Sequence, residues 1–569
     1  MSSAKEPVMR RFGNGLTVLI KEDKSHPVVS LQYWVGTGSM NEGHWQGSGL
    51  SHLLEHLVFK GTAHFSGQEL ARKVQERGGH WNAYTSVNRT VYYIDGPAES
   101  WQIFLNLLTE LVFFPTFPED EMEREKEVVR REMAMYADDP DSVAYQLLMQ
   151  TLYLKHPCRW PVLGERAAFD CLTRQDVLDY HASRYVPNNV VLSIAGDVDA
   201  AEILSHLELL VEDLKSRPLN REPIPHEPHQ FGSRRVRKEF AVPYSKLHLA
   251  WRLPCSAHPD TPALSALSSI LGGGRSARFY EKFHDRLGLV YSIEVHSNQS
   301  ETDEGAFTIS MDVDRAQRDK VRDLVLQELR NLAEEDFTED LKRVCKQTRV
   351  SRLRRRSSAS GVASEMGADW FGSRNLNLSS EWQEAIERVT TEDLHRVCST
   401  WLSSPNVTEV SLDPPGSNAG DEEMASASAG TSLSEHVLGN GMKVVIREDH
   451  RLPLAYACMA FKAGCRAENE HDAGVTDLMA ECLLKGTSTR SAADIARFLE
   501  DIGGAVNTST GNNSLSVGCQ VLAEDLDAGL ELMADVVMNP SFPEDAFLRE
   551  KESFVADAEE DMEDPLSVA

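Results

Sequence analysis

No run of apolar residues reaches the about 20 positions that a membrane-spanning helix requires. The amino terminus, from Met1 to Arg11, also lacks the apolar core of a secretory signal. The nine cysteines are odd in number, scattered and without a CxxC pair, a pattern typical of reduced thiols rather than of a disulfide framework. These absences predict a cytoplasmic, bacterial-type soluble protein with no membrane partner, or a periplasmic one if a signal has been removed.

Basic residues are few relative to acidic ones. Lys and Arg total 58 against 88 Asp and Glu, which gives a net charge of −30. An acidic excess of this size disfavours binding to nucleic acid or to an anionic membrane. An arginine-rich run from Arg349 to Arg356 departs from this balance. We interpret it as the polar face of a long helix, and the alternative is the lining of a cavity that favours acidic segments.

One short motif carries the strongest chemical signal. His52 and His56 are four residues apart in a leucine-rich stretch that favours a helix, so their β-carbons are expected about 5–6 Å apart on one face. This spacing suits two nitrogens that bind one zinc ion. Glu55 lies on the same side, free to act on a metal-bound water, and the pattern is the H-x-x-E-H form of a zinc hydrolase motif. The alternative is a solvated helix face with two ordinary histidines.

The chain contains a second copy of this segment. The residues from Gly49 to Thr62 reappear from Gly474 to Thr487, and both copies end in Lys-Gly-Thr. A repeat of this length indicates a duplicated structural unit. The second copy loses the chemistry while it keeps the framework, because Asp477, Ala480 and Glu481 replace the two histidines and the glutamate. The first copy is therefore the predicted site.

Zinc in a catalytic site takes three protein ligands and leaves one position for water. The acidic segment from Glu119 to Glu132 has the pattern of a helix with one apolar stripe. Within it, Glu125 is kept as Glu550 in the second copy, but Glu132 becomes Asp557. Glu132 is therefore the predicted third ligand, since it changes together with the two histidines.

The H-x-x-E-H motif is followed by Glu132, 76 residues beyond His56. This combination resembles the pitrilysin family of inverzincin metallopeptidases. Insulin-degrading enzyme and mitochondrial processing peptidase belong to that family. The resemblance covers essentially the whole chain and implies a general base at Glu55 and support of the catalytic site by Glu125. The zinc ligands that it implies are His52, His56 and Glu132. Because the ligands occur together only in the first copy, we expect one zinc per chain.

The resemblance also implies contacts to a peptide substrate. Asn82 and Ala83 match residues of an edge strand that pairs with the substrate backbone. Family members carry an Arg and a Tyr, seven residues apart, that touch the substrate carbonyl. Tyr291 matches this tyrosine as a substrate-binding residue, but His284 occupies the position of the arginine.

The elements predict an α+β fold. Strand patterns at Val28–Val35 and Thr90–Ile94 and helix patterns at Glu99–Phe113 and Glu119–Tyr136 do not alternate as a parallel sheet requires. We expect repeated mixed-sheet domains with helices packed on one face, and the resemblance implies half of a clamshell plus part of its second half. The predicted segments are a catalytic domain at 1–216, a degenerate related domain at 230–412, a flexible linker at 413–432 and a truncated inactive repeat at 433–569.

These observations predict a zinc-dependent endopeptidase that hydrolyses short unstructured peptides, with Glu55 as the base that activates the zinc-bound water. The alternative is a non-catalytic structural or peptide-binding subunit of a peptidase-like assembly. The expected partners are peptide substrates and either the missing C-terminal half or a second subunit that closes the chamber.

Overall fold

The computed structural model describes residues 6–219, 223–298, 305–402, 406–415, 433–447, 454–464, 466, 468–469, 474–502, 504–511, 513–551 and 554. The chain divides into two compact units, with the division after Asp421. Most of the predicted linker at 413–432 lies outside the described residues. The boundaries of the four predicted segments stay a prediction. In the part of the chain that the structure describes, no helix is both long enough and apolar enough to cross a bilayer.

The first unit begins with a six-stranded mixed sheet. Its strand order is β1-β2-β6-β3-β5-β4, in which β2 and β6 are parallel and the other neighbours are antiparallel. Strand β4 is the last in this order and pairs with β5. The strands are β1 (Val8–Arg11), β2 (Thr17–Glu22), β3 (Val28–Val35), β4 (His80–Thr85), β5 (Thr90–Pro97) and β6 (Val190–Gly196).

The central strands β2, β3 and β6 of this sheet are buried on both faces. On one face, residues such as Tyr33, Leu53 and Phe104 form a large apolar core between the strands and the helices. The helices of this part are α1 (Leu50–Val58), α2 (Gly67–Gln75), α3 (Trp101–Phe113), α4 (Glu119–Asp138), α5 (Pro140–Leu152), α6 (Arg166–Asp170), α7 (Arg174–Arg184) and α8 (Ala200–Leu210).

A five-stranded sheet follows in the same unit. Its order is β7-β11-β8-β10-β9, with β7 and β11 parallel and the other neighbours antiparallel. This order repeats that of β2-β6-β3-β5-β4 in the first sheet, including the position of the one parallel pair. The strands are β7 (Arg234–Glu239), β8 (Ser245–Leu253), β9 (Val290–Asn298), β10 (Gly305–Val313) and β11 (Thr408–Asp413).

Helix α12 of this second part packs against the first sheet. Val362 and Met366 contact the sheet residues Trp34 and Val191, and the Ser193 hydroxyl donates to the Ala363 carbonyl at 2.7 Å. The helices around the second sheet are α9 (Thr261–Gly272), α10 (Arg318–Asn331), α11 (Thr338–Arg355), α12 (Ala359–Ser373), α13 (Leu378–Glu387) and α14 (Thr391–Val397), with a π-helix at Tyr280–Arg286. The mixed sheets with packed helices confirm the predicted α+β class.

The second unit repeats the local geometry around the motif. Gly49 and Gly474 both precede a helix with positive φ, at 71° and 86°, and Phe117 and Phe542 share the rare φ values of 47° and 43°. The strand order β14-β16-β15 corresponds to β3-β5-β4. The elements are β12 (Leu433–Val437), β13 (Lys443–Arg447), β14 (Leu454–Phe461), α15 (Val475–Leu483), α16 (Ala492–Asp501), β15 (Ala505–Thr510), β16 (Leu515–Leu522) and α17 (Leu526–Met538).

The packing of α12 on the sheet can be tested at Gly367. Alanine in a helix interior normally stabilises by about 0.5–1 kcal/mol relative to glycine. A Cβ at Gly367, however, would lie 2.4 Å from atoms of the Trp34 ring, and that ring is 2% exposed. We expect Gly367→Ala to lower the free energy of unfolding by about 1–3 kcal/mol, as overpacking does, in urea unfolding. Gly232→Ala, whose Cβ meets nothing within 4 Å, is the control. A Gly367→Ala variant as stable as the parent would contradict this packing.

Candidate metal centre

Helix α1 holds the two histidines of the motif on its less buried side. Leu50, Leu53, Leu54 and Leu57 point into the apolar core and fix the rotation of the helix, while the histidines are half-buried. The helix begins after Gly49, at a backbone φ of 71°. A Cβ there would lie 2.0 Å from the Leu163 carbonyl oxygen, so this close approach requires glycine.

The two histidines and a glutamate of α4 converge. The Nε2 atoms of His52 and His56 each lie 3.8 Å from Oε2 of Glu132. One ligand atom from each of the three residues lies within 4.8 Å of the others, and this is the one such group among the described residues. Two atoms bound to one zinc ion at about 2.1 Å in tetrahedral geometry are about 3.4 Å apart. The three side chains can therefore hold a metal ion after small adjustments.

The protonation states suit a metal. Burial lowers the pKa of His52 to about 3, with the charge of His56 as a second cause, so the imidazole is neutral and able to donate a lone pair. Burial raises the pKa of Glu132, while the charge of His56 opposes this shift. Two imidazoles and one carboxylate form a donor set that suits zinc.

Glu125 contacts the other side of the His56 ring. Its Oε2 lies 3.2 Å from His56 Nδ1, and its Oε1 lies 2.7 Å from the Lys60 ammonium. Burial raises the pKa of Glu125, but the hydrogen bonds from His56 and Lys60 outweigh burial and hold this pKa below its usual value. An ionised Glu125 accepts the proton on Nδ1 of His56, which leaves Nε2 free to face Glu132.

Glu55 is separate from the three converging residues. Its Oε2 accepts a hydrogen bond of 2.5 Å from the Thr85 hydroxyl. Burial raises the pKa of Glu55, and the Thr85 hydrogen bond partly counteracts that effect. A carboxyl group whose pKa is shifted towards neutrality can both accept and return a proton.

The predicted substrate contacts lie on two different sheets. Asn82 and Ala83 are in the last strand of the first sheet, where Asn82 is exposed and its Oδ1 accepts from the Ala83 amide at 2.8 Å. Tyr291 lies on β9, the last strand of the second sheet, and is 60% exposed beside the Tyr244 ring. His284 is hydrogen-bonded to Asp285. Among the described residues, no hydrogen bond or ring contact joins Tyr291 to the metal-binding group.

The second copy keeps the scaffold without the imidazoles. The ammonium of Lys485 lies 2.8 Å from Glu550, as Lys60 does from Glu125 in the first copy. Asp477, in the position of His52, accepts a hydrogen bond from the Thr510 hydroxyl. The predicted counterpart of Glu132, Asp557, lies outside the described residues. Within the described residues of this unit, no group of three metal-binding side chains occurs.

The sequence alone did not reveal that Glu42 and Thr85 support the site. Glu42 is fully buried, burial raises its pKa to about 8, and its Oε1 accepts from the Ser51 amide at 2.8 Å, at the start of α1. In the second copy Glu468 accepts in the same way from the Thr476 amide at 2.8 Å. The signal was present in the repeat, since both Glu42 and Thr85 have an identical counterpart there.

Comparisons with known proteins agree with the repeat and the motif. The family model described as "Insulinase (Peptidase family M16)" matches residues 17–166 and 443–567. The model described as "Peptidase M16 inactive domain" matches residues 172–347. Together they cover most of the chain, and the first match contains all three converging residues.

Similar proteins carry related names. An uncharacterized zinc protease of Rickettsia felis is 27% identical over 406 residues, which are 69% of this chain and 94% of that protein. An uncharacterized zinc protease of Mycobacterium tuberculosis is 30% identical over 51% of this chain and 67% of its own length. The crystal structure of a protease from Helicobacter pylori superposes with a TM-score of 0.66 at 26% identity, over 72% of this chain and 100% of that one. These matches confirm the resemblance to the pitrilysin group: the chain belongs to the insulinase family of peptidases, family M16.

Proposed function

We propose that this chain is a zinc-dependent endopeptidase that hydrolyses short unstructured peptides. The observation that carries the proposal is the convergence of His52, His56 and Glu132, with their ligand atoms within 4.8 Å of one another. Glu55 lies on the same helix and is not needed as a ligand. The names of the relatives, which are zinc proteases, support the choice of zinc.

In this proposal each side chain has a distinct role. His52 and His56 would hold the zinc through Nε2, and Glu132 would hold it through its carboxylate. Glu125 accepts the Nδ1 proton of His56 and keeps that ring in the required tautomer and orientation. When bound, zinc supplies a Lewis acid that polarises the scissile carbonyl and lowers the pKa of the attacking water.

Glu55 moves the proton. Thr85 occupies Oε2 of this carboxylate, so we assign the proton to Oε1. Glu55 takes a proton from the attacking water as the new carbon–oxygen bond forms. It then gives that proton to the amide nitrogen as the carbon–nitrogen bond breaks, which releases a carboxylate and an amine. Partial burial of Glu55 raises its pKa, which favours return of the proton to the leaving nitrogen.

The substrate binds in extended form. Strand β4 is the last strand of its sheet, and a peptide can add to its outer edge beside Asn82 and Ala83 through backbone hydrogen bonds. This mode requires an unfolded backbone. Tyr291 is a proposed further substrate contact, and a further domain or a second subunit is proposed to enclose the bound peptide.

A non-catalytic binding role is the second candidate. It is favoured by the match of residues 172–347 to a domain described as inactive. That match begins beyond Glu132, so it excludes all three converging residues and Glu55. The endopeptidase proposal therefore accounts for more of the chain, and the two proposals differ in whether Glu55 is required.

The metal assignment predicts one zinc per chain. Loss of a residue that only supports a metal ligand weakens metal binding about 10–100-fold. Loss of a ligand should weaken zinc binding more than this in each of three variants, His52→Ala, His56→Ala and Glu132→Ala. Metal analysis after dialysis measures this. Glu481→Ala, at the position of His56 in the second copy, is the matched control and should keep its zinc. Unchanged zinc in all three ligand variants would refute the assignment.

The base assignment predicts that binding and chemistry can be separated. Glu55→Gln should retain zinc but lose at least about a hundredfold in kcat, the scale of general base catalysis. The assay uses a quenched unstructured peptide, with a compact disulfide-locked protein as the substrate that should resist cleavage. Normal peptide cleavage by Glu55→Gln would show that the mechanism is wrong.

The Thr85 hydroxyl should position Glu55 for this transfer. Thr85→Val keeps the shape but removes the hydrogen bond, and we expect kcat to fall about tenfold, the worth of one hydrogen bond to a charged group, with KM and zinc content unchanged. Thr85→Ser restores the hydroxyl and should recover most of the rate. If valine and serine at this position gave equal rates, the hydroxyl would have no positioning role.

A further inference from the structure

A cavity of about 690 Å³ lies between the first sheet and the carboxyl end of α12. Thr17 and Val191 line it from the sheet, and Trp370 and Phe371 line it from the helix. Neither Glu55 nor any of the three converging residues is among its lining residues. Its volume falls within the about 300–1,000 Å³ that is usual for small-molecule sites. We call it the sheet–helix cavity.

The charge of the sheet–helix cavity is opposite to that of the chain. Arg11 and Arg374 both line it, and no Asp or Glu is among its described lining residues. Within the part of the chain that the structure describes, neither guanidinium forms an ion pair with a carboxylate. The whole chain has a net charge of −30, whereas this cavity carries two exposed arginines and is therefore locally positive.

The positive charge of Arg11 acts on Arg374. Burial lowers the pKa of Arg374, and the positive charge of Arg11 lowers it further. Such a shift is the effect of a like charge nearby. An anion placed between the two guanidiniums would remove this repulsion and would accept hydrogen bonds from both.

The backbone conformation at the end of α12 fixes the position from which the Arg374 side chain extends. This residue caps the carboxyl end of α12 with φ of 60°, in the left-handed region, and its amide donates to the Trp370 carbonyl at 2.9 Å. Glycine is the usual residue at a helix end of this kind. An arginine there has its guanidinium carbon 6.0 Å from the centroid of the Trp370 ring, so the charge and the flat indole form one wall.

A further donor is available in the same cavity. Asn41 lines it, and the Asn41 Oδ1 accepts from the Gly38 amide at 3.3 Å. The side-chain amide nitrogen of Asn41 has no hydrogen-bond acceptor among the described residues. The amide of Asn188, by contrast, is already bonded to Arg217. One neutral donor therefore accompanies the two cations.

We propose that the sheet–helix cavity binds a small organic anion. Its carboxylate or phosphate group contacts Arg11 and Arg374, and its flat apolar part packs against Trp370 and Phe371. This site is separate from the metal centre and does not depend on the proposed peptidase activity.

Isothermal titration calorimetry on the zinc-loaded full chain tests the proposal, at constant ionic strength. The probes are phenyl phosphate, benzoate and inorganic phosphate. Arg11→Gln and Arg374→Gln should each weaken binding at least about tenfold, the lower end of one charge-assisted hydrogen bond. Trp370→Leu should weaken binding of the two aromatic probes more than that of inorganic phosphate. Tighter binding of phenyl phosphate than of benzoate would identify the ligand as a phosphate, and the reverse order as a carboxylate.

The matched control is Arg10→Gln. Arg10 precedes Arg11 on β1, its side chain points to the opposite face of the strand, and it is not among the residues that line the cavity. The Arg10→Gln variant should bind all probes with the affinity of the parent. Circular dichroism should confirm that every variant is folded. Two results would overturn the proposal. The first is no saturable binding of any probe up to about 10 mM, which corresponds to a binding free energy weaker than about −3 kcal/mol. The second is that the Arg10→Gln and Arg11→Gln variants bind the probes with equal affinity.

Discussion

The hydrogen bond between His56 and Glu125 is the contact that orients the candidate metal centre. It joins α1 to α4, two helices whose contacting residues are 69 positions apart in the chain. Because Lys60 lies 2.7 Å from the second oxygen of Glu125, this carboxylate is ionised and fixed in direction although it is 6% exposed. A buried charge of this kind is stable only when it is paired on both sides. Once it is in place, the His56 ring has one orientation, and its Nε2 faces Glu132.

The duplication separates what the fold requires from what the chemistry requires. The second copy retains the Lys485–Glu550 pair and the glutamate that accepts from the start of the helix, although neither imidazole is present. These contacts therefore stabilise the packing of the motif helix whether or not a metal binds. His52, Glu55, His56 and Glu132, the four residues proposed to bind zinc or act as the base, each have a different residue at the corresponding position of the second copy.

The first sheet connects the candidate metal centre to the region where we propose substrate binding. Thr85 ends β4 and donates to Glu55, while Asn82 and Ala83 lie earlier on the same strand. A peptide added along β4 would thus extend towards the carboxylate that we propose as the base. On the opposite face of the sheet from α1, α12 packs against Trp34. The sheet therefore lies between the helix that carries the two histidines and the sheet–helix cavity.

The sequence by itself determined the local elements and the identity of the converging side chains. The strand predicted at Val28–Val35 has those bounds in the structure, and the helix predicted at Glu119–Tyr136 extends to Asp138, because apolar periodicity is a local property of the chain. The repeat distinguished Glu132, which becomes Asp557 in the second copy, from Glu125, which is kept as Glu550. This comparison also needs nothing beyond the sequence. Only the tertiary structure decided which partners the buried groups find. The contacts of Glu125 with His56 and Lys60, of Thr85 with Glu55, of Glu42 with the start of α1 and of α12 with the first sheet all join distant or differently folded segments. Their geometry depends on side-chain direction and packing after the elements assemble, which no spacing along the chain specifies.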